Sequence, residues 1–383
     1  MGRRPEIAMS RTPLPLNTLP VRWLILSLLF PVTANAGVWE VISGKSAYPL
    51  TESGYYTVDS RQIHWLDDNR VLFTGGPLPQ WEKVVVKEKR PFERAIYIWN
   101  TNEKTVTKLS SAPGYCYYKG VIRYTVSLTD KEYVYMEGPV GKETEHRRPR
   151  VEISEEWRKE HGEQLHPMTC GKYKLSDVRI ADKMFLFPLM EGHGFLGWEG
   201  GGETPWPAGG EAPVRYYKDA TTPPIMLPLK RKDIRVPSSA FPPIYAEWAN
   251  VYVLQGEAEW GRPPTWANYL PKDQPYPVYL IKPDSSEVTT LHAWYQKGVG
   301  NWQYFYTKAG LLVFSSAVKG GGLGDAGIYR VVDRGYEKIL QGIPHTGAIS
   351  PDGCRFAFGI QYIGQKSYGP IELKVLDLCK GAN

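Results

Sequence analysis

Cysteine is scarce, four residues in 383, and no two stand in a C-x-x-C spacing. That counts against a structural zinc site and against a redox dithiol. No G-x-S-x-G occurs and no α/β segment reads as housing a nucleophile elbow, so a propeller-bearing peptidase is not expected. The apolar run "WLILSLLFPV", Trp23 to Val32, holds only ten residues. As a helix it cannot cross ~30 Å of hydrocarbon, so no integral membrane span is expected. Positive charge is modest, +6 in total, and it is spread along the chain rather than gathered on one element. Such a distribution gives no nucleic-acid footprint. Helical periodicity is almost absent after Gly37.

The apolar run instead reads as the core of a secretory signal. Arg3, Arg4, Arg11 and Arg22 precede it, and Ala34-Asn35-Ala36 forms an A-x-A cleavage site. Residues 1–36 are therefore expected to be a signal peptide, with either Met1 or Met9 as its start, and 37–383 the mature domain. No cysteine follows the apolar core, which argues against a lipoprotein, and Arg3-Arg4 lacks the hydrophobic context of a twin-arginine signal. The predicted location is periplasmic or secreted. Cleavage removes four arginines and one glutamate, which takes the net charge from +6 to +3. An even cysteine count in an exported chain predicts two disulfides. Cys354 and Cys379 flank two strand-like runs around a Gly/Ser/Gln turn, a spacing that suits facing positions of a hairpin. Cys116 and Cys170 then pair by elimination.

The mature chain is built of short alternating runs broken by Gly, Pro, Asn and Asp, which reads as strands and turns. A recurrent strand–turn–strand unit appears as "IHWLDDNRVLFTG", "VSLTDKEYVYMEG", "DVRIADKMFLFP", "YAEWANVYVLQG", "YFYTKAGLLVFSS" and "GAISPDGCRFAFG". A second unit follows most of them, as in "AIYIWNTNEKTVTKL", "PVRYYKDATTPPIMLPL", "PVYLIKPDSSEVTTL" and "GIYRVVDRGYEKIL". Two hairpins make a four-stranded antiparallel sheet, and such sheets bury their faces only by stacking. The prediction is all-β: a single β-propeller of about six blades, seven being possible, with long loop insertions and one short helix at Ser154–Leu165. The last copy, "IELKVLDL", supplies one strand, and "VWEVISG", Val38 to Gly44, is expected to complete its sheet.

The run "ISPDGCRFAFG" resembles the S-P-D-G-x-x-φ-A-φ signature of TolB-type and WD-like propeller repeats in exported bacterial proteins. The resemblance covers about a dozen residues and implies the propeller. It carries no function.

The chemical motifs are weak. His161 and His166 are five apart on the expected helix, about 140° out of register, and cannot share a metal. Glu191, His193 and Glu199 sit on glycine-rich backbone, which holds ligands poorly. The glycines of "GWEGGGETPW" and "VKGGGLGDAG" neither follow a strand nor open a helix, the context a phosphate cradle needs. The basic run "HRRPR", His146 to Arg150, reads as a solvated loop. No metal and no cofactor are expected.

Loop length stands out instead. Gly138–Thr169, Gly192–Val214 and Gly256–Pro277 read as insertions far longer than hairpin turns. Trp198, Trp206, Trp260, Trp266 and Tyr269 are the candidate binding residues, together with Glu191, His193 and Glu199. Rings in Pro/Gly loops serve either to pin the loops or to form recognition hot spots. The expected function is binding of a protein or cell-envelope component through these insertions. The alternative is an envelope enzyme, a polysaccharide lyase or hydrolase, with its site at a central channel.

Overall fold

The computed structural model describes residues 46, 48–58, 62–81, 83, 88, 94–118, 120–129, 131–149, 184–189, 194–199, 210–218, 222–235, 243–256, 275–294, 303–315, 326–363 and 368–381. The chain divides into two compact units, Met1–Glu40 and Val41–Asn383, and every described residue belongs to the second. The expected signal peptide, the expected helix at 154–165 and "VWEVISG" lie outside the described residues. Among the described residues, no helix is long and apolar enough to cross a membrane.

The second unit is all-β. Strand β1 (Leu50–Thr57) stands first, and six groups of strands follow. Sheet I holds β2 (Ile63–Trp65), β3 (Arg70–Pro77), β4 (Ala95–Asn100) and β5 (Thr105–Ser110). Sheet II holds β6 (Cys116–Tyr118), β7 (Val121–Leu128), β8 (Glu132–Pro139) and β9 (Thr144–Pro149). Sheet III holds β10 (Met184–Pro188), β11 (Phe195–Glu199), β12 (Pro213–Tyr217) and β13 (Ile225–Lys230). Sheet IV holds β14 (Ile244–Ala246), β15 (Val251–Gln255), β16 (Pro275–Ile281) and β17 (Val288–Trp294). Sheet V holds β18 (Gln303–Thr307), β19 (Gly310–Ser315), β20 (Gly327–Val332) and β21 (Gly335–Gln341). Sheet VI takes β22 (Ile343–Ile349), β23 (Arg355–Ile363) and β24 (Tyr368–Asp377) from the end of the chain and β1 from its beginning. All pairings are antiparallel and, apart from those of β1, run in chain order, as expected of successive hairpins. The only described α-helix is α1, Leu78–Trp81.

The fourth strand of sheet VI corrects one expectation. It is β1, not Val38–Gly44, and it pairs Leu50 with Leu376 and Tyr56 with Glu372. Its last residues also pair with β3, Tyr55 with Pro77 and Thr57 with Gly75, which joins sheets VI and I into one eight-stranded sheet. Glycine at 75 is required there, because a Cβ would lie within 1.9 Å of the Tyr56 carbonyl oxygen. Sheet II is shifted from the expected register. "VSLTDKEYVYMEG" spans its second and third strands, since the first is the three-residue β6. In sheet III, "MFLFP" is the first described strand rather than the second. His146 to Pro149 belongs to strand β9, not to a loop.

Five apolar clusters join the sheets pairwise. Trp65, Phe73 and Trp99 of sheet I pack on Ala357, Leu373 and Val375 of sheet VI. Phe305, Phe314 and Ile328 of sheet V pack on Phe356, Phe358 and Leu376 of sheet VI. The remaining three clusters link IV with V, III with IV, and I with II. No cluster among the described residues links II with III. Burying a ring such as Trp99 removes on the order of 200 Å² from water, worth about 5 kcal/mol at ~25 cal/mol per Å². These interfaces therefore dominate the stability of the stack.

The Ser350-Pro351-Asp352-Gly353 turn between β22 and β23 is fully hydrogen-bonded. Ser350 Oγ accepts from Arg355 N (2.8 Å) and Asp352 Oδ1 accepts from Cys354 N (2.9 Å). Gly353 takes φ of 75°, the left-handed conformation that favours glycine. Cys354 and Cys379 form a disulfide with Cα atoms 5.1 Å apart. The β23–β24 ladder pairs Arg355 with Asp377, and Leu378 N donates to Cys354 O (2.8 Å), so the bridge reaches one residue past the facing position. Cys116 is also disulfide-bonded. Cys170 lies outside the described residues.

Candidate functional site

In an antiparallel sheet, turns between strands one and two emerge at the same end as turns between strands three and four. Between the described strands that end carries only short links: 66–69, 101–104, 119–120, 140–143, 189–194, 218–224, 247–250, 282–287, 308–309, 333–334 and 350–354. Several are tied to one another across sheets. Asp352 N donates to Asp68 Oδ1 (2.8 Å), and Arg355 Nη1 donates to Asp68 O (2.6 Å) and Asn69 Oδ1 (2.7 Å). Lys308 N donates to Gly353 O (3.0 Å). Trp248 Nε1 donates to Tyr306 O (2.8 Å), and its ring lies against Gly353, where a Cβ would come within 2.5 Å of it. Lys218 pairs with Asp284 at 3.3 Å, linking sheets III and IV. This end is a stitched base.

The opposite end is different. The connections 78–94, 150–183, 200–212, 231–243, 256–274, 295–302 and 316–326 all leave and re-enter their sheets there. Two buried polar atoms at this end, Gln62 Oε1 and Thr74 Oγ1, make no hydrogen bond. They sit at the start of β2 and near the end of β3, and Thr74 N donates to Gln62 O (3.4 Å). Thr57, buried beside them, donates its hydroxyl to Thr74 O (3.1 Å). Burial pushes the Tyr56 hydroxyl pKa up, with the Arg94 guanidinium partly opposing. In sheet VI, His345 Nε2 lies 3.0 Å from Gln361 Oε1, and Gln361 Nε2 donates to Gly369 O (2.7 Å). Arg235 Nη1 donates to Gln255 Oε1 (2.9 Å) in sheet IV. Polar groups thus gather at this end of sheets I, IV and VI, and two of their buried atoms still have bonding capacity, the condition a ligand relieves.

A second polar zone lies on the faces of sheets II and III that no apolar cluster covers. Arg123 holds Glu137 with two hydrogen bonds (3.0 and 2.9 Å) above the Tyr135 ring, which stacks on Tyr133 and His146. On sheet III, Arg215 pairs with Glu199 at 2.7 Å. Among the described residues no group of three or more His, Cys, Asp or Glu is placed to hold a metal.

No family model and no curated protein matches this chain. Among solved structures it is similar to an oligogalacturonate lyase from Vibrio parahaemolyticus, 7% identical, over 88% of this chain and 96% of that one, with a TM-score of 0.45. It is similar to a gluconolactonase from Xanthomonas campestris, 10% identical over 86% and 89%, TM-score 0.37. TolB from Acinetobacter baumannii is 10% identical over 84% and 66%, TM-score 0.30. These are likenesses of outline. They bring no residue role and no activity to this chain.

The structure divides the residues singled out from sequence. Trp198 lies in β11, 5% exposed, packed in the cluster between sheets III and IV with the Arg231 guanidinium 5.3 Å from its ring. It is a core ring, not a loop ring. Glu199 ends β11 and is exposed apart from its pair with Arg215. Glu191 and His193 belong to the link before β11, so the whole strand, roughly 13–17 Å long at ~3.3 Å per residue, separates that link from Glu199. Both lie outside the described residues, as do Trp206, Trp260, Trp266 and Tyr269. The connections that carry Trp206, Trp260, Trp266 and Tyr269 join the loop end; the link with Glu191 and His193 joins the base. Gln62 and Thr74 were not legible as a pair, because only the β2–β3 ladder brings them together.

Proposed function

We propose that the six sheets close into a ring, a β-propeller, and that this exported protein binds a protein or cell-envelope component at the loop end. The observation that carries the reading is the asymmetry of the two ends. Every long connection, with the orphaned Gln62 and Thr74 atoms, belongs to one end, and the other is hydrogen-bonded to itself. Ring closure requires sheets II and III to meet, and a polar seam with the Arg123–Glu137 and Arg215–Glu199 pairs is the form that meeting takes. In this reading residues 1–36 are the export signal, the location is periplasmic or secreted, and Cys116 pairs with Cys170.

A second reading is a polysaccharide lyase or hydrolase of the envelope. The imidazole of His345 beside Gln361, at the loop end of an inner strand, supports it, since a general base has to stand where substrate enters.

Thr74→Val separates a ligand-binding hydroxyl from a structural one. Removing a buried hydroxyl that has no partner is expected to leave stability unchanged or raise it by up to about 1 kcal/mol. Capture of the envelope component by the mature chain is expected to weaken with Thr74→Val and with His345→Ala, and to survive Lys218→Ser on the base. Urea titration and affinity capture from envelope extract measure both. Capture lost with Lys218→Ser and kept with the other two overturns the binding reading. Turnover of envelope polysaccharide, abolished by His345→Ala, establishes the enzyme instead.

A further inference from the structure

Sheets IV and V flank an open cleft of about 680 Å³, which reaches Pro275 and Trp294 where the connections 256–274 and 295–302 join sheet IV. Its walls are Leu291 and Trp294 of β17, Tyr306 of β18, Leu311 of β19, and Val331 with Val332 of β20. Among the described residues, His292 and Asp333 are its only ionisable groups at the wall besides the Tyr306 phenol. Gly310 opens the cleft further, because a Cβ built there meets nothing within 4 Å. Val332 remains 36% exposed, one of four large apolar side chains so placed among the described residues.

The volume falls in the range of small-molecule sites, and so does the lining of aromatic and aliphatic side chains with few polar groups. Charge selects the class of occupant. Asp333 is exposed, makes no side-chain hydrogen bond or ion pair among the described residues, and stands beside Arg334 on the turn at the edge of the cleft. An anion entering beside it is repelled. A purely apolar occupant leaves that exposed carboxylate without a partner. A cation on an apolar body satisfies both: its body meets Leu291, Leu311 and Val331, and its charge meets Asp333 and the faces of Trp294 and Tyr306.

We infer that the cleft between sheets IV and V binds an organic cation carried on an apolar ring or chain. The cleft uses none of Gln62, Thr74 and His345, so the inference does not depend on the binding reading given for the loop end.

Three probes with one aromatic body decide the point: benzyltrimethylammonium, benzyl alcohol and phenylacetate, titrated into the full mature chain and read by tryptophan fluorescence and calorimetry. The cation is expected to bind about tenfold or more tightly than the other two, a difference of about 1.4 kcal/mol. Asp333→Asn, an exposed substitution expected to keep the melting temperature, should remove that preference. Trp294→Ala should weaken the cation and quench the fluorescence change. Equal binding of all three probes, an undiminished preference in Asp333→Asn, or no saturable binding of the cation overturns the inference.

Discussion

Replacing Cys354 and Cys379 together by serine is expected to lower stability by about 3.5 kcal/mol, the loop-closure value for a separation of 25 residues. The site makes the loss consequential. Sheet VI is assembled from both ends of the second unit, with β1 lying against β24, so its outer half has no covalent continuity except through the whole chain. The bridge joins the residue before β23 to the second residue beyond β24 and fixes β24, the strand against which β1 docks, to its neighbour. The adjacent turn also holds Asp68 and Asn69 of sheet I. Fraying here opens the VI–I junction first. The urea midpoint of the double serine variant, measured with the Cys116 bridge intact, reads this directly, and early loss of hydrogen-exchange protection in β1 should accompany it. An unchanged midpoint contradicts the assignment of the bridge to sheet closure.

Acidification is expected to cost about 3 kcal/mol between pH 6.5 and pH 4 through one residue, His64. Its ring lies among Tyr115 and Tyr117 of sheet II, with Nδ1 2.9 Å from the Tyr115 hydroxyl, which donates to Leu72 O. Nδ1 is therefore the acceptor of no proton from that hydroxyl and donates to it in the matching tautomer. Burial lowers the His64 pKa from 6.5 to about 4. In the unfolded chain the imidazole takes a proton near pH 6.5, and in the folded chain only near pH 4. Between those values the unfolded state binds more protons, so stability rises with pH. The contribution is complete above pH 6.5 and is lost as pH falls toward 4. His64→Gln is expected to flatten that part of the stability–pH curve, whatever its effect at pH 7. A curve with the same slope in the variant contradicts the account.

Much of the strand order is legible in the sequence because tight turns use residues with definite conformational preferences. Asn250, with φ of 49°, and Gly353 mark two of the first hairpins. Strands whose residues face water were harder to read. β1, "LTESGYYT", has Glu52 and Ser53 beside Gly54 and is only half-buried over most of its length, so it reads as a loop. β9, "TEHRRP", is an outer strand whose Glu145 and Arg147 side chains are exposed. β6 has three residues, too few for an alternation to show. β11, "FLGWE", follows a glycine-rich link, and Gly194 is there because a Cβ would lie 2.1 Å from the Tyr217 carbonyl oxygen. The stretches read as insertions are only partly connections, since Gly138–Thr169 contains β9 and Gly192–Val214 contains β11, and which end the connections join follows only from strand parity. That parity separates Glu191 and His193 from Trp206, Trp260, Trp266 and Tyr269.

Hydrogen exchange of residues 37–383, with and without a ligand captured from envelope extract, tests the proposed function most directly. The account predicts added protection at the loop end, in residues 56–58, 62–63, 74–77 and 343–346, and none in the base turns 66–69, 247–250 and 350–354. Protection confined to those base turns contradicts it.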